Sequence, residues 1–407
     1  MSAQINQELQ ASGIAKVIVV IRSASTKTET SSRHAALEKY FATSDLSQSS
    51  ALAASTAPRG KKQSAVRYYP HLGVMLGTVT REGLAQLRAE KNLVANVMGA
   101  PPLSLIRPTR IDAAKLTNQV TWGLNALGIP QLWKEGYTGK DVLIGHLDTG
   151  IDGRHPALKN AIAEFAAFDL LGQEAKPAPK PYDSDDHGTH TAATIAGRTI
   201  RGRAIGVAPD AKLASAVVIE GGNVIARVLG GMDWAVGKGV RILNMSLGFP
   251  GWWQDFLPIT KILRRQNILP VFAVGNEGAG TSRSPGNYWQ ALSVGAVDAQ
   301  QAVADFSSSQ RFKRKKDALV PDLVAPGVGI ISARRGGGYQ EMDGTSMATP
   351  HISGLAALLW QARPAATEDQ IEQAIFASCQ RYSGIDSARG NRGMPNGPRA
   401  LAALLKM

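Results

Sequence analysis

Gly344-Thr345-Ser346-Met347-Ala348-Thr349-Pro350-His351 sets one serine in a turn of small residues, at the start of an apolar stretch running to about Trp360. A serine hydroxyl attacks nothing unaided. A base must take its proton and dipoles must hold the oxyanion that forms, so a nucleophilic Ser346 implies partners elsewhere in the chain. Asp148, in Gly145-His146-Leu147-Asp148-Thr149-Gly150-Ile151-Asp152, closes an apolar run; a carboxylate there can orient an imidazole and stabilise its cation without taking the proton. His187 opens His187-Gly188-Thr189-His190, whose glycine leaves room for a second backbone or a substrate. Asn276, in Val274-Gly275-Asn276-Glu277-Gly278, ends another apolar run, and its amide can donate to an oxyanion beside the Ser346 N–H.

Each piece alone has a competing reading. Ser346 can be an N-cap and Asn276 a strand-end turn residue. Asp-Thr-Gly also occurs in aspartic proteases, which need two such segments, and this chain has no second one. His187 and His190 with Asp183, Asp185 and Asp186 could hold a metal. A catalytic zinc site, however, needs a third ligand and a glutamate base, and no His-Glu-x-x-His exists here. On this reading His190 is a packed helix residue and the three aspartates are a solvated loop.

Two sets of elements must position these residues. In the first 100 residues, Lys16 to Arg22 reads as a strand, 33–41 as a helix, and 42–64, rich in Ser, Ala and Thr, as a mobile loop. Val66 to Tyr69 and Gly73 to Val79 read as paired strands, 81–91 as a helix capped by Thr80, and Leu93 to Met98 as a last strand. That order is a split βαβ unit, a small α+β ferredoxin-like domain. Residues 101–121, with Pro101-Pro102 and Pro108, read as an exposed linker. From 122 to 407, apolar strands alternate with helices: 142–147, 213–219, 241–247, 268–274 and 291–297 as strands, 189–197, 223–238, 257–266 and 368–377 as helices. The fold class is α/β, a parallel sheet with helices on both faces, in which function gathers at the carboxyl ends of the strands.

The order Asp148, His187, Ser346 differs from that of chymotrypsin-like enzymes and of α/β-hydrolases. With Asn244-Met245-Ser246-Leu247-Gly248, Gly275-Asn276-Glu277-Gly278 and Ala325-Pro326-Gly327 it makes the second domain resemble the subtilisin-like serine proteases from about Trp122 to at least Pro364. The first domain, through Thr80 to Leu87 and Asn92 to Val97, resembles the propeptide that precedes them. The resemblance implies a serine endopeptidase working through an acyl-enzyme: Ser346 attacks, His187 carries the proton, Asp148 orients His187, and Asn276 binds the oxyanion. Ser246, Leu247 and Gly248 would pair with an extended substrate, and Gly275 and Arg283 would line its primary pocket. A buried Arg283 without a partner would favour an acidic residue before the scissile bond, and would name Asp112-Ala113 as a self-processing site; an Arg283 turned outward into solvent would instead leave an apolar pocket. The leading domain would act as an intramolecular inhibitor, with cleavage between Leu103 and Asn118. The loop after the histidine helix, where many family members bind calcium, reads Arg198-Thr199-Ile200-Arg201-Gly202-Arg203; its three arginines make a poor calcium cradle, so no metal is expected at that loop, calcium sites elsewhere stay open, and no cofactor is expected. A ligase or macrocyclase using the same acyl-enzyme, and a catalytically silent inhibitor or binding protein, remain alternatives.

Composition sets the remaining bounds. The formal charge of +13 could suggest nucleic acid, but most of the basic excess lies in the first 110 residues rather than in a groove-lining motif, so proteins or peptides are the expected partners. A single cysteine, Cys379, excludes an intrachain disulfide framework. The early apolar run, Val17 to Ile21, is too short for a signal core or a membrane span, which points to the cytoplasm, with secretion by another route left open.

Overall fold

A computed structural model describes residues 3–22, 27–42, 66–169, 172–221, 224–314 and 317–407. Contacts divide the chain into two units, Met1–Pro101 and Pro102–Met407. The loop expected over 42–64 falls outside the described residues from position 43 onward.

The first unit contains α1 (Ala3–Ser12), β1 (Ile14–Ile21), α2 (Lys27–Glu38), β2 (Arg67–Tyr69), β3 (Val74–Thr80), α3 (Arg81–Ala89) and β4 (Val94–Gly99). Its strands form an antiparallel sheet in the order β2-β3-β1-β4. The β-branched run from Val17 to Ile21 is buried at the middle of that sheet. Thr80 caps α3 by accepting from Gly83 N at 3.2 Å, and Leu84 and Leu87 are the buried side of that helix. Among the described side chains of α1, Ile5 and Leu9, one turn apart, are the buried ones, and Glu8 holds the helix by accepting from Lys16 N at 2.9 Å.

In the second unit β5 (Ser104–Leu105) and β6 (Arg110–Ala114) precede α4 (Trp122–Ala126), α5 (Ile129–Lys134), β7 (Leu143–Asp148), β8 (Ile162–Ala167), α6 (His187–Ala196), β9 (Lys212–Val217) and α7 (Val224–Gly237). Then follow β10 (Ile242–Met245), β11 (Leu247–Pro250), α8 (Leu257–Arg265), β12 (Leu269–Ala273), β13 (Arg283–Ser284), β14 (Leu292–Val297), β15 (Gln310–Arg311), β16 (Leu319–Val320) and β17 (Leu323–Pro326). The chain ends with β18 (Ile330–Ala333), β19 (Tyr339–Asp343), α9 (Thr345–Ala362), α10 (Glu368–Ser378), α11 (Ser387–Gly390) and α12 (Gly397–Leu405). Seven strands form one parallel sheet in the order β17-β14-β12-β10-β7-β9-β8. Strands β12 and β14 are buried at every residue, the signature of a sheet covered on both faces. Alternate residues of β7 show the two covers. Ile144 joins the core built with α6 and α9, whereas a side chain at Gly145 would point at Ala235 of α7. Among the described residues no helix is long and apolar enough to cross a membrane.

Residues 101–121, expected as an exposed linker, are exposed at most positions but form two short paired strands. β5 adds antiparallel to β11 and β6 adds antiparallel to β19, both at sheet edges, and Leu105, Ile106 and Leu116 are buried. Edge strands offer unpaired N–H and C=O groups, so main-chain pairing suffices to hold a segment that has little apolar pattern of its own.

Candidate active site

Asp148 is the last residue of β7 and His187 the first of α6. The two side chains meet at the carboxyl edge of the sheet, with His187 Nδ1 2.7 Å from Asp148 Oδ1 and both buried. The Asp148 carboxylate also accepts from Thr149 N at 2.8 Å and from Thr191 Oγ1 at 3.2 Å. Burial alone would raise the Asp148 pKa, but the His187 imidazole, with His146 and the Thr149 N–H adding to it, brings it below its ordinary value. Burial likewise pulls the His187 pKa down, and the Asp148 carboxylate outweighs it, leaving the imidazole above its usual value. Gly188 is required by the crossing of the two segments, since a Cβ there would lie 2.1 Å from Gly150 O. His146, behind Asp148, lies 2.9 Å from Thr191 Oγ1 and 3.0 Å from Ser215 Oγ; burial lowers it to about 4, so it is neutral.

Ser346 lies in the first turn of α9, where the backbone N–H groups lack partners within the helix. Pro350 has no N–H to give to the Ser346 carbonyl four residues earlier, and Ser246 Oγ supplies that bond instead at 3.1 Å. The same exchange ties the turn of Ser346 to the segment between β10 and β11. Asn276 follows β12. Its Oδ1 accepts from Thr345 N at 2.9 Å and from Thr345 Oγ1 at 2.8 Å, which fixes the amide so that Nδ2 is the donor on its other side.

A peptide already occupies this surface. Leu105 and Ser104 pair antiparallel with Leu247 and Gly248, and Ile106 N donates to Ser246 O at 3.2 Å. The Ser346 hydroxyl donates to Ile106 O at 2.7 Å, and Asn276 Nδ2 donates to Arg107 O at 2.8 Å. His187 Nε2 is buried and has no hydrogen-bond partner among the described residues.

Two expectations are corrected here. Arg283 is not an unpartnered cation: Glu277 Oε1 accepts from its Nε at 2.8 Å and lies 2.6 Å from Nη2, while Nη1 reaches Ser104 Oγ at 3.1 Å. Its charge is already met, so it gives no reason for an acidic substrate residue. Gly275, at φ +121°, makes that pairing possible, since a side chain there would come within 2.7 Å of Glu277 Oε2 and 3.2 Å of Arg283 Cγ. Asp112 is not beside Ser346 either; it sits in β6 opposite Glu341, while Ile106 is the residue that Ser346 meets.

The three aspartates before His187 are also not one solvated loop. Asp183 is buried, accepting from Thr149 Oγ1 at 2.7 Å, from Thr189 N at 2.6 Å and from Thr189 Oγ1 at 2.5 Å. Burial raises its pKa despite these donors. His190, read as a packed residue, is buried with Nε2 2.9 Å from Ile330 O, and burial lowers it to about 3.

Comparison with known proteins agrees with this geometry. The subtilase family profile matches residues 139–393. Subtilisin E of Bacillus subtilis (strain 168) is 32% identical over 292 residues, 70% of this chain and 72% of its own length. The major intracellular serine protease of the same organism is 35% identical over 252 residues, 60% of this chain and 75% of its own length. Among solved structures, fervidolysin from Fervidobacterium pennivorans, a keratinolytic enzyme related to subtilisin, superposes with a TM-score of 0.71 at 23% identity, over 96% of this chain and 61% of that one. A seven-stranded parallel sheet with an Asp–His pair at its carboxyl edge, together with a family match over more than half of the sequence, places the chain in the subtilase family as a subtilisin-like serine endopeptidase.

Proposed function

We propose that Ser346 is the nucleophile, His187 the general base and then acid, Asp148 its orienting carboxylate, and Asn276 Nδ2 with the Ser346 N–H the oxyanion donors. Ser346 Oγ bonds to the scissile carbonyl carbon as its proton passes to His187 Nε2. The C–N bond then breaks as that proton goes to the departing amine, and water repeats the sequence on the acyl-enzyme. Ser246 to Gly248 receive the substrate as an added strand, a mode of recognition carried by the main chain. The observation behind this reading is the peptide at the site: Ser346 Oγ and Asn276 Nδ2 each donate to a carbonyl of a strand that pairs with Leu247 and Gly248.

Residues 103–107 are, on the same proposal, an intramolecular occupant that keeps the enzyme at rest, the leading domain acts with them as inhibitor, and the enzyme processes itself there. In that resting arrangement the Ser346 hydroxyl is donated to Ile106 O rather than to His187 Nε2. Fluorophosphonate labelling tests the assignment: Ser346 carries the label in wild type, and Ser346→Ala protein takes none and hydrolyses no peptide. Label on another residue, or hydrolysis by Ser346→Ala, overturns it.

A further inference from the structure

The strand lying against Ser346 continues beyond it along an open edge. Thr109 N donates to Asp343 O at 2.8 Å, and β6 then pairs with β19 from Arg110 opposite Asp343 to Ala114 opposite Tyr339. This register sets the Arg110 guanidinium among carboxylates. Its Nε lies 2.8 Å from Asp343 Oδ2 and its Nη2 3.3 Å from Asp343 Oδ1, a two-point fork; Nη2 also meets Glu341, and Nη1 reaches Asp112 Oδ2 at 2.8 Å. Asp112 belongs to the same strand as the arginine, but Asp343 and Glu341 belong to β19. The Asp343 side chain is 12% exposed, and Gly329 N fixes its Oδ1 at 2.7 Å, so the carboxylate is held in place from behind. Asp343 precedes Ser346 by three residues, and Arg110 follows by three the residue whose carbonyl Asn276 holds.

We propose that Asp343 and Glu341 form a subsite for a cationic side chain of the substrate, on the C-terminal side of the scissile bond and three residues beyond the carbonyl bound by Asn276, with the edge of β19 binding the main chain. The inference rests on the reading of Ser346 and Asn276 given above, with the chain's own segment standing in for substrate. Arginine suits the site better than lysine because its planar fork matches both oxygens of Asp343. The second contact of this kind, Arg107 Nη1 to Asp185 Oδ2 at 3.6 Å, involves an arginine side chain that is 76% exposed, so solvent screens it and it selects little.

The test uses full-length protein carrying Arg110→Ala and Ser346→Ala, in which the chain's own arginine no longer fills the subsite; its main chain still competes for the β11 and β19 edges and weakens every peptide by the same factor, so affinities are compared as ratios. Fluorescent peptides differing only at the third residue after the Asn276-held position are bound to it and read by anisotropy. Arginine is expected to bind about tenfold more tightly than alanine, a charge-assisted bond at a partly exposed site, and glutamate more weakly than either. Glu341→Arg in the same background should reverse the order in favour of glutamate, which a merely structural role for Glu341 would not produce. Equal affinity for arginine, alanine and glutamate overturns the subsite. Arginine preference together with no fluorophosphonate labelling of the Arg110→Ala single variant leaves the subsite standing and overturns the assignment of Ser346.

Discussion

Asp183 accepts both hydrogen bonds that Thr189 can donate, from its backbone N–H at 2.6 Å and from its hydroxyl at 2.5 Å. Its other oxygen accepts from Thr149, the residue after Asp148, at 2.7 Å. One buried carboxylate therefore joins the end of β7 to the first turn of α6, which are the two segments carrying Asp148 and His187. Asp183 is a positioning residue on this view, acting on the imidazole through the backbone that holds it.

Asp183→Asn should cut kcat by roughly 10- to 100-fold with KM little changed, because an amide cannot accept from both threonines and the imidazole loses its placement. Removal of a negative charge near His187 should also lower the pKa of the acid limb. A drop in kcat with an unmoved acid limb would reduce Asp183 to a fold-stability role, so the pH profile is the measurement that decides.

The His187 limb has its own expectation. Asp148 holds the imidazole above its ordinary value of about 6.5, so kcat/KM should rise with pH through a pKa above that figure and then level. Asp148→Asn should move the limb downward and lower kcat by about 10⁴-fold through the wrong tautomer. An acid limb at or below pH 5 in wild type contradicts the assigned base.

The parts of this site that were legible in sequence are those that depend on apolar runs. Strands β7 and β12 are buried throughout or nearly so, and their ends mark Asp148 and Asn276 within a residue or three. The small residues of α9 mark Ser346 for the same reason: the helix is buried almost end to end, and only small or apolar side chains fit. What escaped the reading is held by polar bonds that leave no periodic pattern in the sequence. Strand β6, Arg-Ile-Asp-Ala-Ala, has no alternation to betray it and is exposed along most of its length; it exists because β19 has a free edge. The partner of Arg283 is six residues away across a turn whose shape depends on Gly275 at φ +121°. Asp183 looked like its neighbours Asp185 and Asp186 because sequence does not show which of three aspartates will face helix N–H groups.

Self-processing gives a chain-length prediction. Ser346→Ala protein should keep its full length, whereas wild type should yield a new N-terminus at Arg107 or Pro108, the residues after the two carbonyls held by Ser346 Oγ and Asn276 Nδ2. N-terminal sequencing after incubation reads this directly. A terminus at Ala113 would mean that β6 leaves β19 before cleavage, and an active enzyme of unchanged length would dispose of processing altogether.

Stability should carry a pH signature from Asp322, far from the chemistry. Its carboxylate is buried beside β14, accepting from Ser293 N at 2.8 Å and lying 3.3 Å from Arg392 Nη1. Burial raises it to about 7, with the nearby Glu372 adding to the rise while the Ser293 bond and Arg392 oppose it. In the unfolded chain an aspartate titrates near about 3.9, so between roughly pH 4 and pH 7 the folded state holds a proton that the unfolded state has released. With more protons bound in the folded state, stability falls as pH rises across that window and stops falling above it. Asp322→Asn carries no such charge and loses that slope. In a Ser346→Ala background, which prevents autolysis, the Tm of Asp322→Asn minus that of its parent should climb from pH 4.5 to about 7.5 and then level, whatever constant offset the new amide brings against Arg392. Other buried carboxylates, such as Glu372, titrate in both proteins and cancel to first order in the difference. Thermal unfolding followed by circular dichroism at several pH values supplies the comparison, and a difference that stays flat with pH means that Arg392 keeps Asp322 ionised throughout.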